Sequence, residues 1–311
     1  MRWFTILRKA EKMRRADRSP VIRVIRIVAA ILLFATHICA AETTPEQHRQ
    51  ALIKALQTRL PGTQPADWTL GGDTLAPSIG GNVQAIPFNA DNATNSADIL
   101  AIGKKIWERK FKDGKSMASC FPNGGKRMAA GYPQFDVKLK KVVTLEMAIN
   151  FCLQLHNEVG IEHASIHIMG PLSAYARSLS EGLRLTIRVG TPAAKDRFDA
   201  GGALFARRIG QMNLACASCH VLLAGKIYGA APNDAAIKNP GALSPVVGQA
   251  TSWPRLEPGG IVRSLQRQYQ HCMRRAGAEP LELGLDELNN LEYYHSFMSN
   301  GLAIRVLAVQ R

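Results

Sequence analysis

The chain has 311 residues, 46% of them hydrophobic and 20% charged, enough for true cores and for two ordinary domains, which excludes a disordered tail. Its formal net charge is +15, but residues 1–41 hold nine basic and two acidic side chains, leaving +8 for the remainder. On an exported chain that excess is a solvated surface for acidic protein partners or anionic substrates rather than a nucleic-acid footprint.

Residues 1–41 read as an export signal. Basic residues up to Arg26 precede the apolar run IVAAILLFA (27–35), and the small residues of CAAET follow. About nine apolar residues suit a signal-peptide core and are too few to span a bilayer. No later stretch reads as a membrane anchor, so the expected location is periplasmic. Cleavage after Ala40 or Ala41 removes Cys39.

Residues 42–92 form an N-terminal arm, with one short helix in TPEQHRQALIKALQTRL and then a Pro/Gly-rich stretch full of turn chemistry. A helix is predicted from about Asn95, with Ile99, Ile102, Ile106 and Trp107 on one side. Another begins at Thr144 as N-cap, with the stripe Leu145, Ala148, Ile149, Cys152 and Leu155. Residues 172–183 are read as a third helix, and LRLTIRV (183–189) as a short strand. A second unit starts near Pro192 with a helix over DRFDAGGALFARRIGQ, and a loop-rich region covers 221–260. Helices at 261–276 and 286–300 are ended by Gly277 and Gly301. Each half runs helix, cysteine, loops and further helices, which suggests an old duplication.

The strongest signal is CASCH, Cys216 to His220. Two thiols at this spacing form thioethers to a haem edge, and the adjacent histidine reaches the iron. A thioredoxin-like pair needs a βαβ setting that is missing, and a zinc site needs a second C-x-x-C. Without Cys39, five cysteines remain, and haem attachment consumes Cys216 and Cys219. Of Cys120, Cys152 and Cys272, at least one then has no intramolecular partner. Cys120 and Cys152 are close enough in sequence to close a loop, or are buried thiols. Cys272 has two readings. It packs in a stripe with Ile261, Leu265 and Tyr269, or it is a haem ligand or reactive thiol. Arg275 lies on its helix face, Arg267, His271 and Arg274 are near, and positive neighbours lower a thiol's pKa. Its neighbour Met273 is the rival ligand. Adjacent helical residues point about 100° apart, and the stripe favours Cys272 over Met273 as the inward one. Met212, Met298, His156, His163, His167, His271 and His295 are read mainly as core or polar residues, and Lys226 as lining the haem edge or solvated.

The stretches GGALFARRIGQMNLACASCHVLLAGKIYG, LQRQYQHCMRRAGAEPLELG and ELNNLEYYHSFMSNGLAIRVLAVQR resemble the SoxA subunit family of the sulfur-oxidising SoxAX cytochromes, from about residue 95 to the end. The resemblance implies a mostly α protein of two cytochrome c-like domains, 93–191 without haem and 192–311 with it. It implies one covalent haem c on Cys216 and Cys219, with His220 as proximal and Cys272 as distal ligand and active-site sulfur. The implied activity is oxidative coupling of thiosulfate to a cysteine of a SoxYZ-like carrier. A SoxX-like haem subunit would be the partner and a downstream cytochrome c the electron acceptor. In dihaem members a second C-x-x-C-H lies in the first domain. Here it reads CFPNG, with Asn123 and Gly124 in place of the second cysteine and the histidine, so the chain resembles the monohaem type, in which the leftover thiols, Cys120 and Cys152, are joined. Gly277 stands where many members have an arginine, leaving Arg267 and Arg275 as candidates for holding the anion.

Overall fold

A computed structural model describes residues 43–70, 96–228, 241–257 and 260–307. The chain divides into two units, Met1–Thr44 and Pro45–Arg311, and every element below belongs to the second. The export-signal reading, most of the Pro/Gly-rich part of the arm and residues 229–240 lie outside the described residues. Among those described, the protein is mostly helical, and no helix is long and apolar enough to cross a membrane.

The elements in chain order are α1 (Pro45–Arg59), α2 (Ser96–Glu108), the antiparallel pair β1 (Gln134–Asp136) and β2 (Lys141–Val143), α3 (Leu145–Leu155), α4 (Met169–Ser178) and α5 (Pro192–Ala206). After the haem motif come the pair β3 (Ile227–Tyr228) and β4 (Gly241–Ala242), the antiparallel pair β5 (Arg255–Glu257) and β6 (Ile261–Arg263), α6 (Leu265–Arg275) and α7 (Asp286–Met298). The sheets are two-stranded ribbons with registers such as Phe135 opposite Val142 and Leu256 opposite Val262.

One order of elements recurs. In each half an opening helix crosses a closing one, α2 on α4 and α5 on α7, with a glycine at the crossing. A Cβ on Gly103 would lie 2.1 Å from the Pro171 carbonyl oxygen, and one on Gly201 2.0 Å from that of Asn290. In each half a hairpin leads into a hydroxyl-capped helix. Thr144 Oγ1 accepts from Met147 N at 3.3 Å, and Ser264 Oγ from Arg267 N at 3.3 Å, each satisfying an orphan N–H of the first turn.

Several expectations are corrected. Residues 261–263 form a strand, not the first turn of a helix, because the Ser264 cap starts the helix at Leu265. Ile261 is therefore off any helical stripe, and 37% exposed. On α2 the buried face is Ile99, Gly103 and Trp107, with Ile102 outward; Leu155, at the end of α3, is also exposed. The third helix is Met169–Ser178, three residues earlier than expected. The 183–189 stretch is extended, with an Arg184–Ala303 bridge and backbone bonds to residues 301–304 and Ala130 rather than a full strand ladder, and Leu185 and Ile187 are buried.

The arm is part of the core. Leu56, Leu60 and Trp68 join Phe198, Tyr269, Met273, Tyr294 and Phe297 in the larger apolar cluster, and His48 Nε2 bonds the Tyr294 hydroxyl at 2.9 Å. A second cluster lies within residues 107–176 and includes Trp107, Phe111, Phe121, Ile149 and Cys152.

Candidate functional site

The segment after α5 is shaped by local bonds. Ile209 and Leu214 pair across a tight turn, and Ser218 Oγ accepts from Ala215 N at 3.0 Å. This starts a π-helical turn, Ser218–Leu222, a form common at functional positions. Cys216, Cys219 and Cys272 are all free thiols of intermediate exposure. His220 follows, with its Nδ1 held 2.8 Å from the Ser244 carbonyl oxygen. Donation from Nδ1 to that carbonyl would leave Nε2 with the lone pair, the tautomer a metal requires, while the Gln249 amide nitrogen also lies 2.9 Å from the same Nδ1. Burial, opposed by the Ser244 bond, depresses the His220 pKa and favours the neutral imidazole. Gln249 braces the same carbonyl, its Nε2 donating to Ser244 Oγ at 2.5 Å.

Helix α6 brings the third sulfur. Leu265, Gln266, Tyr269 and Met273 are its buried residues. Cys272 lies on the adjoining face with Gln268 and Arg275, at helical spacings of four and three. This corrects the expected stripe. Met273, 3% exposed, is the core residue, and Cys272 is turned toward the haem motif. Its ionised form would repel that of Cys216 and be repelled by that of Cys219. Cys272 is thereby within electrostatic reach of both thiols of the motif, across 56 residues of chain.

The electrostatics also depart from expectation. Burial raises the Cys272 pKa; the Gln268 bond and the charges of Arg275 and Arg263 oppose it without prevailing. Cys216 is pushed up to about 12, mainly by burial and then by Cys272. Free of metal, these are thiols rather than thiolates at neutral pH. The donor set nevertheless fits a covalently attached haem: two unpaired thiols at C-x-x-C spacing, an imidazole with Nδ1 committed elsewhere, and a third soft donor alongside.

The candidate arginines separate. Arg275 acts on both Cys219 and Cys272. Arg267 instead donates from Nη1 to the Ala164 carbonyl at 2.6 Å, tying α6 to the segment before α4. Arg263, which sequence reasoning missed, donates to Gln268 Oε1 at 2.9 Å while Gln268 Nε2 lies 3.5 Å from Cys272 Sγ. Gln268 was detectable as the i−4 neighbour of Cys272; Arg263, Ser244 and Gln249 carry no sequence signal. Gly277 ends α6 at φ +71°, and a Cβ there would lie 3.0 Å from Gln211 Cβ. The residue thus serves the turn where an arginine was expected. Lys226 and Met212 are exposed, and Met298 is wholly in the core. His295, read as ordinary core, bonds the Tyr269 hydroxyl through Nδ1 at 2.8 Å and lies within electrostatic reach of His220.

In the first half, Cys120 and Cys152 are joined by a disulfide with Cα atoms 5.7 Å apart. The ligating atoms of Cys120, Cys152 and His156 lie within 4.8 Å of one another, and His156 Nδ1 is 2.6 Å from Asp113 Oδ2. Asn123 and Gly124 adopt left-handed φ of 52° and 66°. Trp107 stacks on Phe121 with ring centroids 5.4 Å apart.

A family model described as SoxA/TsdA, cytochrome c domain, matches residues 102–185, the half without C-x-x-C-H. The chain is 37% identical over 201 residues to the L-cysteine S-thiosulfotransferase subunit SoxA of Chlorobaculum tepidum, covering 64% of this chain and 66% of that one, just under two thirds of the relative. It is 32% identical over 232 residues to the subunit of the same name from Pseudaminobacter salicylatoxidans, covering 71% and 76%. The crystal structure of SoxXA from P. pantotrophus superposes with a TM-score of 0.58 at 25% identity, covering 69% of this chain and 77% of that one.

Proposed function

The chain belongs to the SoxA family, and we propose that it is the thiosulfate-coupling subunit of a periplasmic cytochrome complex, an L-cysteine S-thiosulfotransferase. The reaction joins thiosulfate to a carrier thiol: R–SH + S2O3²⁻ → R–S–S–SO3⁻ + H⁺ + 2 e⁻. It needs a soft sulfur centre, a place for the dianion and an electron acceptor. What supports the reading is the run Cys216–His220 at C-x-x-C-H spacing with a third free thiol, Cys272 of α6, within electrostatic reach of Cys216 and Cys219.

In this reading Cys216 and Cys219 would attach one haem c covalently, and His220 and Cys272 would be the residues that hold its iron. The haem supplies one-electron acceptance beside a sulfur. Ser244 and Gln249 position His220 through Nδ1. Gln268 orients the Cys272 sulfur, and Arg275 and Arg263 offer positive charge to a sulfonate. Arg267 is bonded to the Ala164 carbonyl and Arg263 is ion-paired with Glu257, which leaves Arg275 the favoured anion candidate. Two electrons leave per coupling and one haem accepts one at a time, so a SoxX-like haem subunit and a downstream cytochrome c take the rest. The structural relative, a SoxXA complex, supports such a partner.

We further assign residues 93–191 as a haem-less cytochrome c-like domain and 192–311 as the haem domain. The recurring element order supports this, as does the family-model match to 102–185. Residues 1–41 would be the signal removed on export.

The rival reading is a plain electron carrier ligated by Met273. Against it stands the burial of Met273 in the core beside Leu265 and Tyr269. The test pairs Cys272→Ala with Met273→Leu in the haem-loaded complex. Cys272→Ala retains the haem and loses thiosulfate- and carrier-dependent electron release, whereas Met273→Leu retains both. The opposite pattern, with a methionine-to-iron absorption band lost in Met273→Leu, overturns the assignment.

A further inference from the structure

A group of ionisable side chains outside the haem site, Glu146, Arg177 and Glu292, lies where α3, α4 and α7 meet. A cavity of about 20 Å³ there is lined by Glu146 of α3, Arg177 of α4, Glu292 and Ser296 of α7, and Trp253. That is room for about one water. Glu146 and Arg177 are each 8% exposed. The Glu292 carboxyl is turned inward, its Oε2 accepting from Gln266 Nε2 at 3.0 Å. Arg177 Nη2 donates to the Ala250 carbonyl at 2.7 Å. Its Nε, and the Nε1 of Trp253, are buried donors with no hydrogen-bond acceptor. A water accepts two such bonds and donates two, which matches two orphan N–H groups and two carboxylates.

The charges call for a proton. One guanidinium balances one carboxylate, and the second carboxylate is then uncompensated in a site of low polarity. The other titratable groups facing the cavity or its walls do not change this. Tyr132 and Tyr269 are phenols raised by burial, and His295 is neutral and bonded to Tyr269. Arg255 is bonded to Ser252 and shares its charge with Glu257, while Glu181, an exposed carboxylate that accepts from Val306 N, also acts on Arg177. Burial first, and then the Glu146 charge, push Glu292 up to about 8, against Gln266 and Arg177.

The site is coupled to the sulfur cluster. Tyr269 is within electrostatic reach of Glu292 on one side and of Cys216 and Cys272 on the other. Its hydroxyl partner, His295, is one helical turn beyond Glu292 on α7.

We propose that Glu146, Arg177 and Glu292 hold one water and one exchangeable proton in this cavity, and that the proton is taken up as the haem accepts an electron. The inference rests on the haem reading above. Around and above pH 8, where the pair begins to lose its proton, a carboxylate of the pair would keep or regain one from solvent when the haem site gains an electron. When the electron passes to the next acceptor, the proton returns. The added negative charge at the iron is thereby offset inside the protein.

The experiment is an optical redox titration of the haem-loaded complex between pH 5.5 and 9.5, with infrared difference spectra of the oxidised and reduced forms. The midpoint potential is expected to be level below about pH 8 and to fall as pH rises above it. An electron that changes proton affinity about tenfold gives a span of about 59 mV for a one-electron couple. A carboxylic acid C=O band is expected to gain intensity on reduction. Glu292→Gln, which keeps the Gln266 contact, and Glu146→Gln each flatten the pH dependence and remove the band. Should Glu292→Gln not fold, Glu146→Gln and the wild-type spectra decide. A haem-loaded protein with a pH-independent midpoint and no such band overturns this proposal alone, as does an unchanged pH dependence in the variants. A protein that attaches no haem on export overturns the haem reading as well.

Discussion

Replacing both Cys120 and Cys152 by alanine removes a cross-link between residues 32 apart in sequence. Opening a loop of that length returns about 12 cal/mol/K of entropy to the unfolded chain, a loss of about 4 kcal/mol at 25 °C. Cys152 is 3% exposed among Met117, Ile149 and other members of the smaller core. Trimming its sulfur therefore adds about 1 kcal/mol for the space left behind. For a unit of this size the sum lowers Tm by roughly 10–15 °C. The assay is thermal unfolding of the haem-loaded protein, followed in parallel by far-ultraviolet circular dichroism and by the Soret band. Because the bridge belongs to the cluster within residues 107–176, whereas Cys216, His220 and Cys272 pack elsewhere, the Soret spectrum at 20 °C should be unchanged. A Tm loss below about 3 °C would refute the entropic reasoning. An altered Soret band at 20 °C would refute the independence of the two halves.

Two further outcomes follow from packing and burial. Gly201→Ala puts a Cβ 2.0 Å from the Asn290 carbonyl oxygen and 2.9 Å from Tyr294 Cβ, forcing α5 off α7 at a cost of about 3 kcal/mol or more. Gly190→Ala, with nothing within 4 Å of the new Cβ, is the near-neutral control, and equal urea midpoints for the two would contradict the crossing. Burial lowers His295 to about 3 and raises Glu292 to about 8. His295 therefore costs stability as pH falls from about 6.5 toward 3, and Glu292 costs it as pH rises from about 4.5 through 8, each by about 1.4 kcal/mol per unit. The two slopes cancel between about 4.5 and 6.5, so urea midpoints should show a plateau there. His295→Gln should flatten the acid limb and Glu292→Gln the alkaline one; variants that leave both limbs intact would show that other groups cause them.

The parts of this fold legible in the sequence are those set by local chemistry. Thr144 caps α3, as its hydroxyl before an apolar stripe foretells, and Gly277 and Gly301 end their segments at φ +71° and +80°. The hydrophobic spacing from Ile99 to Trp107 announced α2, but not that Gly103 rather than Ile102 faces inward. Only the backbone of α4 approaching within van der Waals range makes a glycine the buried residue. The same limit misplaced Cys272. Extending the helix back through Ile261 produced a stripe ending on the thiol; the true start after Ser264 rotates the stripe onto Tyr269 and Met273. The polar side chains that brace the site are further from view. Ser244, Gln249 and Arg263 reach His220 and Gln268 through tertiary contacts that no residue spacing encodes.

The recurrence of elements explains why one cysteine position has two fates. Cys152 lies eight residues after its helix cap Thr144, and Cys272 lies eight after Ser264, each helix following a hairpin. In the first half the upstream segment is CFPNG, which offers one thiol and no imidazole, and the helix thiol bonds to it. In the second it is CASCH, whose two thiols attach the proposed haem and whose histidine is positioned through Nδ1 by Ser244 and Gln249. The helix thiol there has no cysteine left to oxidise with. Its lack of a partner follows from the same geometry that makes a disulfide in the other copy. Restoring the pattern by Asn123→Cys with Gly124→His would not recreate a haem site in the first half. Gly124 is at φ +66°, where a histidine is strained. A Cβ at 124 itself meets only the Ala118 Cβ at 3.9 Å, whereas one on the next residue, Gly125, would lie 2.6 Å from the Trp107 ring. The first half has closed over its own aromatic residues, and only in the second does the sulfur remain available for chemistry.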